Sequence, residues 1–292
     1  MTQRLVYSLV VLAVSAAAAL GWRLPLGVEI GLLATAVLVL GIPHGSLDVL
    51  HAQDAQRLTR LRDWARFLAL YVATAAAVVG FWLLFPSVSL IGLLVISTLH
   101  FSGDLDQGTP RALRIVHGLS PICMPALLHP TELGDLFGAL APAEFARALA
   151  NALELVSLPL LVCSLVLACM YARRHRNAVL EVAATATVCS VASPLLGFIV
   201  YFCLMHSWRH VDRTRRIYAP KLSAMVWSAA LPTVFTGVAA AAAWTMLDRS
   251  SLESGVLQVV FIGLAALTVP HMLLIERVRL RGWRPRGVPT GA

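Results

Sequence analysis

Nine histidines are spread along the chain, and six of them, His44, His100, His117, His206, His210 and His271, fall inside apolar runs. An ionisable side chain in hydrocarbon is expensive and normally faces the interior of a helix bundle or a cavity. Neutral imidazole is the commonest metal ligand, and histidines at i and i+4 share one helix face, so His206-Ser-Trp-Arg-His210 is a candidate half-site. His44 and His100 extend it. Each is followed four residues later by an acid, Asp48 and Asp104, which could ligate directly or accept the N–H of a ligating imidazole. The plainer readings are polar residues closing helix ends for the pair and the acids, and core histidines bonded to carbonyls for His117 and His271. His51, His129 and His175 fall at span edges or in loops and are given no role. Rich in imidazole and poor in thiolate, the donor set suits iron, copper or zinc. The five cysteines form no CxxC pair and lie within apolar runs, where Cys behaves as a small hydrophobe.

The elements that must position these residues are set by composition. Of 292 residues, 59% are hydrophobic and 13% charged, against about 25% charged in soluble domains. Such a chain cannot fold around one core in water. The expected fold class is all-α, a polytopic integral membrane protein forming one transmembrane domain over residues 1–292. A secreted enzyme, a dinucleotide-binding α/β fold and a β-barrel are excluded. Ten apolar runs predict spans at roughly 5–21, 28–50, 65–85, 88–104, 111–128, 151–171, 178–194, 196–211, 222–247 and 254–275. The first resembles a signal peptide but runs on without a polar linker, and is read as a retained helix. The seventh and eighth, separated by Ser193, Pro194 and Gly197, form either a tight hairpin or one broken helix.

The net charge of +8 does not indicate nucleic acid, because the arginines cluster between apolar runs instead of lining one amphipathic face. They report topology. With the amino terminus inside, 20 of 23 basic residues fall in inner loops, which places both termini in the cytoplasm and the chain in a cell membrane. The largest outer loop is expected at about 129–150. Under this topology all six intramembrane histidines lie at cytoplasmic span ends, which suggests one shared site. Phe101, Phe202 and Trp208, with Tyr201 and Phe198, could line a tunnel for an apolar substrate arriving from the bilayer, or simply pack helices. Redox chemistry on a lipid follows as the expectation.

Taken together, Gly41-Ile-Pro-His-Gly-Ser-Leu-Asp48, Leu99-His-Phe-Ser-Gly-Asp104, Val116-His-Gly118, Met205-His-Ser-Trp-Arg-His210 and Val269-Pro-His-Met272 resemble the Brp/Blh family of bacterial and archaeal β-carotene 15,15′-dioxygenases. The resemblance implies an integral membrane enzyme that uses non-haem Fe(II) and dioxygen to cleave the central double bond of β-carotene, or a related carotenoid, into retinal. By motif it carries iron ligation onto His44, His100, His206 and His210. Asp48, Asp104, His117 and His271 are left around the metal or on the substrate side. A retinal-consuming rhodopsin is the implied partner, besides membrane lipid. The chain is not itself that rhodopsin, since its one lysine, Lys221, lies at a helix start beside Pro220, whereas a retinal Schiff base needs a lysine at mid-membrane.

Two other readings stand beside this one. A membrane di-iron hydroxylase or desaturase also holds metals at cytoplasmic helix ends, but needs about eight histidines in HxxxH and HxxHH boxes, and this chain has one HxxxH and no HxxHH. A haem-binding or metal-ion transport protein could use paired intramembrane histidines. Transporters place their sites at broken helices near mid-membrane, whereas these histidines gather at one end.

Overall fold

In the computed structural model, residues 3–56, 58–218, 221–245 and 251–280 are described, and among them the regular structure is entirely helical. The helices are α1 (Gln3–Ala19), α2 (Leu26–Asp54), α3 (Leu61–Leu84), α4 (Pro86–Phe101), α5 (Arg111–Cys123), α6 (Pro130–Gly138), α7 (Ala143–Tyr171), α8 (Arg176–Val191), α9 (residues 194–218), α10 (Leu222–Trp244) and α11 (Leu252–Leu280). Five are long and apolar enough to cross a membrane: α2, α3, α7, Met225–Trp244 of α10 and Leu252–Glu276 of α11. α1 and α4 are apolar but shorter.

Their outward faces explain why water cannot be the solvent. Leu155, Leu158, Val162, Leu165, Val166 and Met170 project from α7, and Trp227, Leu231, Val234, Phe235 and Val238 from α10. None of the apolar stretch of α10 is buried inside the protein. A monomer in water does not expose apolar patches on this scale, whereas hydrocarbon accepts them.

The interior is sealed by a few close approaches. α4 and α5 pack where Gly118 lies directly against Thr98 O and Ser102 Oγ, so any Cβ there would strike backbone. Of the two readings of the break at 193–197, α8 and α9 form the tight hairpin: Ala192 is extended, Ser193 caps α9 by accepting from Leu196 N, and Gly197 packs on Val188 and Cys189. α1 is packed into the fold. Tyr7 is buried with its hydroxyl 2.8 Å from Thr185 Oγ1, and Gln3 Nε2 donates to Leu204 O at 2.7 Å. The expected outer loop at 129–150 is instead largely helical, because α6 lays Leu133, Gly134 and Phe137 against the first turns of α7. Pro130 and Pro142 start these two helices, positions where the missing N–H costs nothing.

Two helices that carry histidines are irregular at those histidines. α2 widens into a π-helical segment, Val37–Gly41, just before His44, and α9 does so over Val200–Ser207, which contains His206. The segments pack together, with Gly41 admitting the ring edge of Phe202. Pro43 and Pro270 precede His44 and His271 and each lacks the N–H of a regular helical bond. π-Helical turns occur often at functional sites, because they aim side chains that a regular helix would point elsewhere.

Candidate metal centre

The imidazoles of His44, His206, His100, His271 and His210 form a closed circuit. Ring centroids lie 5.1 Å apart for His44–His206, 4.6 Å for His206–His100, 5.1 Å for His100–His271, 5.1 Å for His271–His210 and 5.6 Å for His210–His44, and His44 and His271 face each other at 5.6 Å. Four elements supply them: α2, α4, α9 and α11. The sequence-expected ligands His44, His100, His206 and His210 are thus brought together, and His271 stands among them.

Both acids hold imidazoles, but not the ones in their own helices. Asp104 accepts from His206 Nδ1 at 3.0 Å and from the Tyr201 hydroxyl at 2.7 Å. Asp48 accepts from His271 Nδ1 at 2.7 Å and from the Tyr71 hydroxyl at 3.1 Å. Pairing of Asp48 with His44 and of Asp104 with His100 through one helical turn is therefore corrected. The turn does not exist: α2 is interrupted at Leu47, and α4 ends at Phe101 so that Asp104 lies in the following bend. Asp104 is fixed there by its own carbonyl, which accepts from Arg209 and Arg213.

A carboxylate can only accept, so these bonds place the Nδ1 proton on His206 and His271 and leave Nε2 with its lone pair. Nε2 of each is buried and has no hydrogen-bond partner among the described residues. An orphaned buried acceptor is costly unless something fills it, and an imidazole whose other nitrogen is oriented by a carboxylate is the usual form of a metal-ligating histidine. The donor set fits a metal. Among the described residues, the set whose donor atoms all lie within 4.8 Å of one another is Asp48, His210 and His271.

The other expected site residues divide. Phe101 and Phe202 are buried against His206, at 5.0 and 5.4 Å, and Phe202 continues into Phe198 and Phe261 as a chain of stacked and tilted rings. Trp208 is not part of this wall. Two residues beyond His206 it has rotated to the opposite side of α9, and 40% of it is exposed. His117 is fully buried but outside the circuit, 5.7 Å from Tyr201, with neither nitrogen hydrogen-bonded among the described residues. His51, given no role from the sequence, lies 5.6 Å from His210, with its nitrogens 3.1 Å from Tyr218 Oη and 3.0 Å from Thr214 Oγ1. Its position seven residues after His44 and three after Asp48 was the available signal. Also missed was the ion pair below the site: Arg209 donates to Glu181 at 2.6 and 3.0 Å, and Arg4 adds a third bond to the same carboxylate at 2.7 Å.

A family model for β-carotene 15,15′-dioxygenase matches residues 35–278, which contain every residue of the histidine circuit. The chain belongs to this family. A curated family member, the β-carotene 15,15′-dioxygenase of an uncultured marine bacterium 66A03, is 29% identical over 259 residues, covering 82% of this chain and 90% of the relative. No solved structure matches. For the family, the circuit described above sits inside the matched segment, and the helix α1, which packs beneath it, lies outside.

Proposed function

We propose that this chain cleaves the central 15,15′ double bond of β-carotene or a related carotenoid with dioxygen, giving two molecules of retinal, at a mononuclear non-haem Fe(II) held by His44, His100, His206 and His210. Family membership supports the reaction, and the circuit of imidazoles, in which Nε2 of His206 and of His271 is buried without a hydrogen-bond partner among the described residues, is the observation that carries the metal site. When bound, Fe(II) would supply redox chemistry toward dioxygen.

The chain's own residues bind, orient and dry the site. Asp104 and Tyr201 lock the tautomer and ring orientation of His206, and Ser207 Oγ, 3.2 Å from His44 Nδ1, helps orient the ring of His44. The wall of Phe101, Phe202, Phe198 and Phe261 excludes water and offers π-faces to a polyene. The substrate enters from the bilayer, since a long polyene in water would lose of order 0.8 kcal/mol for each CH₂-sized unit. With its centre at the metal near the inner leaflet, the polyene lies obliquely or parallel to the membrane plane. Retinal leaves into the same lipid, where a rhodopsin can take it up. We place the protein in a cell (inner) membrane as one domain of about ten spans with both termini cytoplasmic; the bias of basic residues supports this orientation.

The test is expression in a β-carotene-producing bacterium, with loss of colour and appearance of retinal expected, and neither expected from His44→Ala, His100→Ala, His206→Ala or His210→Ala. Elemental analysis giving two irons per chain would overturn the mononuclear site.

A further inference from the structure

We propose that His271 is a direct ligand of the metal, positioned by Asp48 and Tyr71 as His206 is positioned by Asp104 and Tyr201; this rests on the metal-centre reading above and adds a fifth imidazole to it.

The argument is one of duplication. The structure contains the same Tyr–Asp–His unit twice, built from unrelated segments. In the first, Tyr201 of α9 and Asp104 beyond α4 hold Nδ1 of His206. In the second, Tyr71 of α3 and Asp48 of α2 hold Nδ1 of His271 on α11. In both the carboxylate is buried, both of its contacts come from donors, and the histidine Nε2 is buried without a hydrogen-bond partner among the described residues. A satisfied core histidine would use its second nitrogen on a carbonyl or hydroxyl, as His51 does with Thr214. A carboxylate that fixes the distal nitrogen of an imidazole also raises the basicity of the proximal one, which serves a ligand.

Position agrees with chemistry. His100 and His210 touch His271, at 5.1 Å each, and it is His271 that joins them and closes the circuit. It also faces His44 at 5.6 Å. A side chain reserved for substrate would be expected on the aromatic side of the cluster, against Phe202 or Phe101. The ring contacts of His271 are instead with the other imidazoles. Pro270 immediately before it removes one regular hydrogen bond from α11 next to His271.

The experiment reads metal, not turnover. Detergent-purified wild-type, His206→Ala, His271→Ala and His175→Ala proteins are loaded with Fe(II), or with Co(II) for its visible absorption. Each is then challenged with graded chelator and analysed for metal per chain. His271→Ala should release metal at a chelator concentration at least ~10-fold lower than wild type and shift the Co(II) band, as His206→Ala does, while His175→Ala matches wild type. Free imidazole, which fits the space left by the deleted ring, should restore both readouts in His271→Ala. An unchanged Co(II) band in His271→Ala overturns the proposal whatever its stability, leaving four ligands. Should His271→Ala fail to accumulate, Asp48→Asn and Tyr71→Phe replace it. Asp48→Asn is expected to weaken retention by ~10- to 100-fold, and wild-type retention in both overturns the proposal. Wild-type protein that takes up neither metal overturns the metal-centre reading itself, an outcome distinct from a wild-type centre that is indifferent to His271.

Discussion

A methyl group at Gly118 would be placed against backbone, and backbone cannot turn aside. The ideal Cβ meets Thr98 O and Ser102 Oγ, and stands 2.7 Å from Ser102 N, where ordinary contact begins near 3.4 Å. The end of α4 must then withdraw from α5 by at least ~0.7 Å, a displacement in the range that overpacking experiments price at about 1–3 kcal/mol. The moving turn includes His100 and Phe101, so the loss is not confined to stability. Misplacement of a reacting group by about 1 Å can cost ~10²-fold in rate. Gly41→Ala is the informative contrast, because its Cβ at 2.9 Å meets the edge of the Phe202 ring, a side chain. Iron content, thermal midpoint in detergent and retinal formation are measured for Gly118→Ala, Gly118→Ala with Ser102→Ala, Gly41→Ala, and Gly41→Ala with Phe202→Leu. The smaller residue at 202 should recover stability and iron for Gly41→Ala. Ser102→Ala should recover little for Gly118→Ala, since Thr98 O remains. Wild-type stability and iron in Gly118→Ala, or full rescue by Ser102→Ala, would refute the steric argument.

Asp104→Asn keeps the shape of the carboxylate but removes its charge, and iron retention against a chelator should fall ~10- to 100-fold. Arg209→Met leaves Glu181 with Arg4 as its remaining partner and should cost up to about 3–5 kcal/mol in a thermal or denaturant assay, much of it recovered when Glu181→Leu is added; equal losses in the single and double variants would count against a buried pair. Phe101→Ala and Phe202→Ala should change which carotenoid end rings are accepted or which bond is cut, as read by product chromatography, whereas Trp208→Ala, on the outer face of α9, should leave product identity unaltered. Unaltered products from both Phe variants would put the substrate path elsewhere.

Much of the centre was legible because depth in a membrane is written in the sequence. His44, His100, His206 and His210 could be grouped by their distance from span ends, without knowing which helices touch. Their supports could not. Reading Asp48 with His44 assumes an unbroken helix between them, and the interruption at Leu47 has no plain signal in Gly45-Ser46-Leu47. The true partner of Asp48 lies 223 residues away in sequence, and that of Asp104 lies 102 away. Tyr71, Glu181 and Arg209 were hidden for a related reason. Each reads locally as an ordinary residue of an apolar run or a basic helix end, and acquires its role through contacts between helices. Trp208 was misjudged because proximity in sequence to His206 was taken for proximity in space, and on a helix two residues is more than half a turn. The outer loop at 129–150 was misread because Glu132, Asp135 and Glu144 face outward while Leu133, Phe137 and Ala146 are buried.

The π-helical segments mark the two places where the chain carries one residue more than its helices need. Each holds about one residue more than an α-helix of the same rise, and removing that residue would let the hydrogen bonds close into a regular helix at little cost to folding. Because the wide turn spends its extra residue over nearly the same rise and rotation, side chains beyond the segment would keep their direction, and only those inside it would be re-aimed. A one-residue deletion within Val200–Ser207 upstream of His206 would therefore turn His206 away from the other imidazoles and leave His210 in place, and one within Val37–Gly41 would disturb the contact of Gly41 with Phe202 and leave the direction of His44. A helix can ordinarily be shortened at its ends without consequence. Outside the two π-helical segments, the tolerated length changes belong in the connections, such as 58–60 or 172–175.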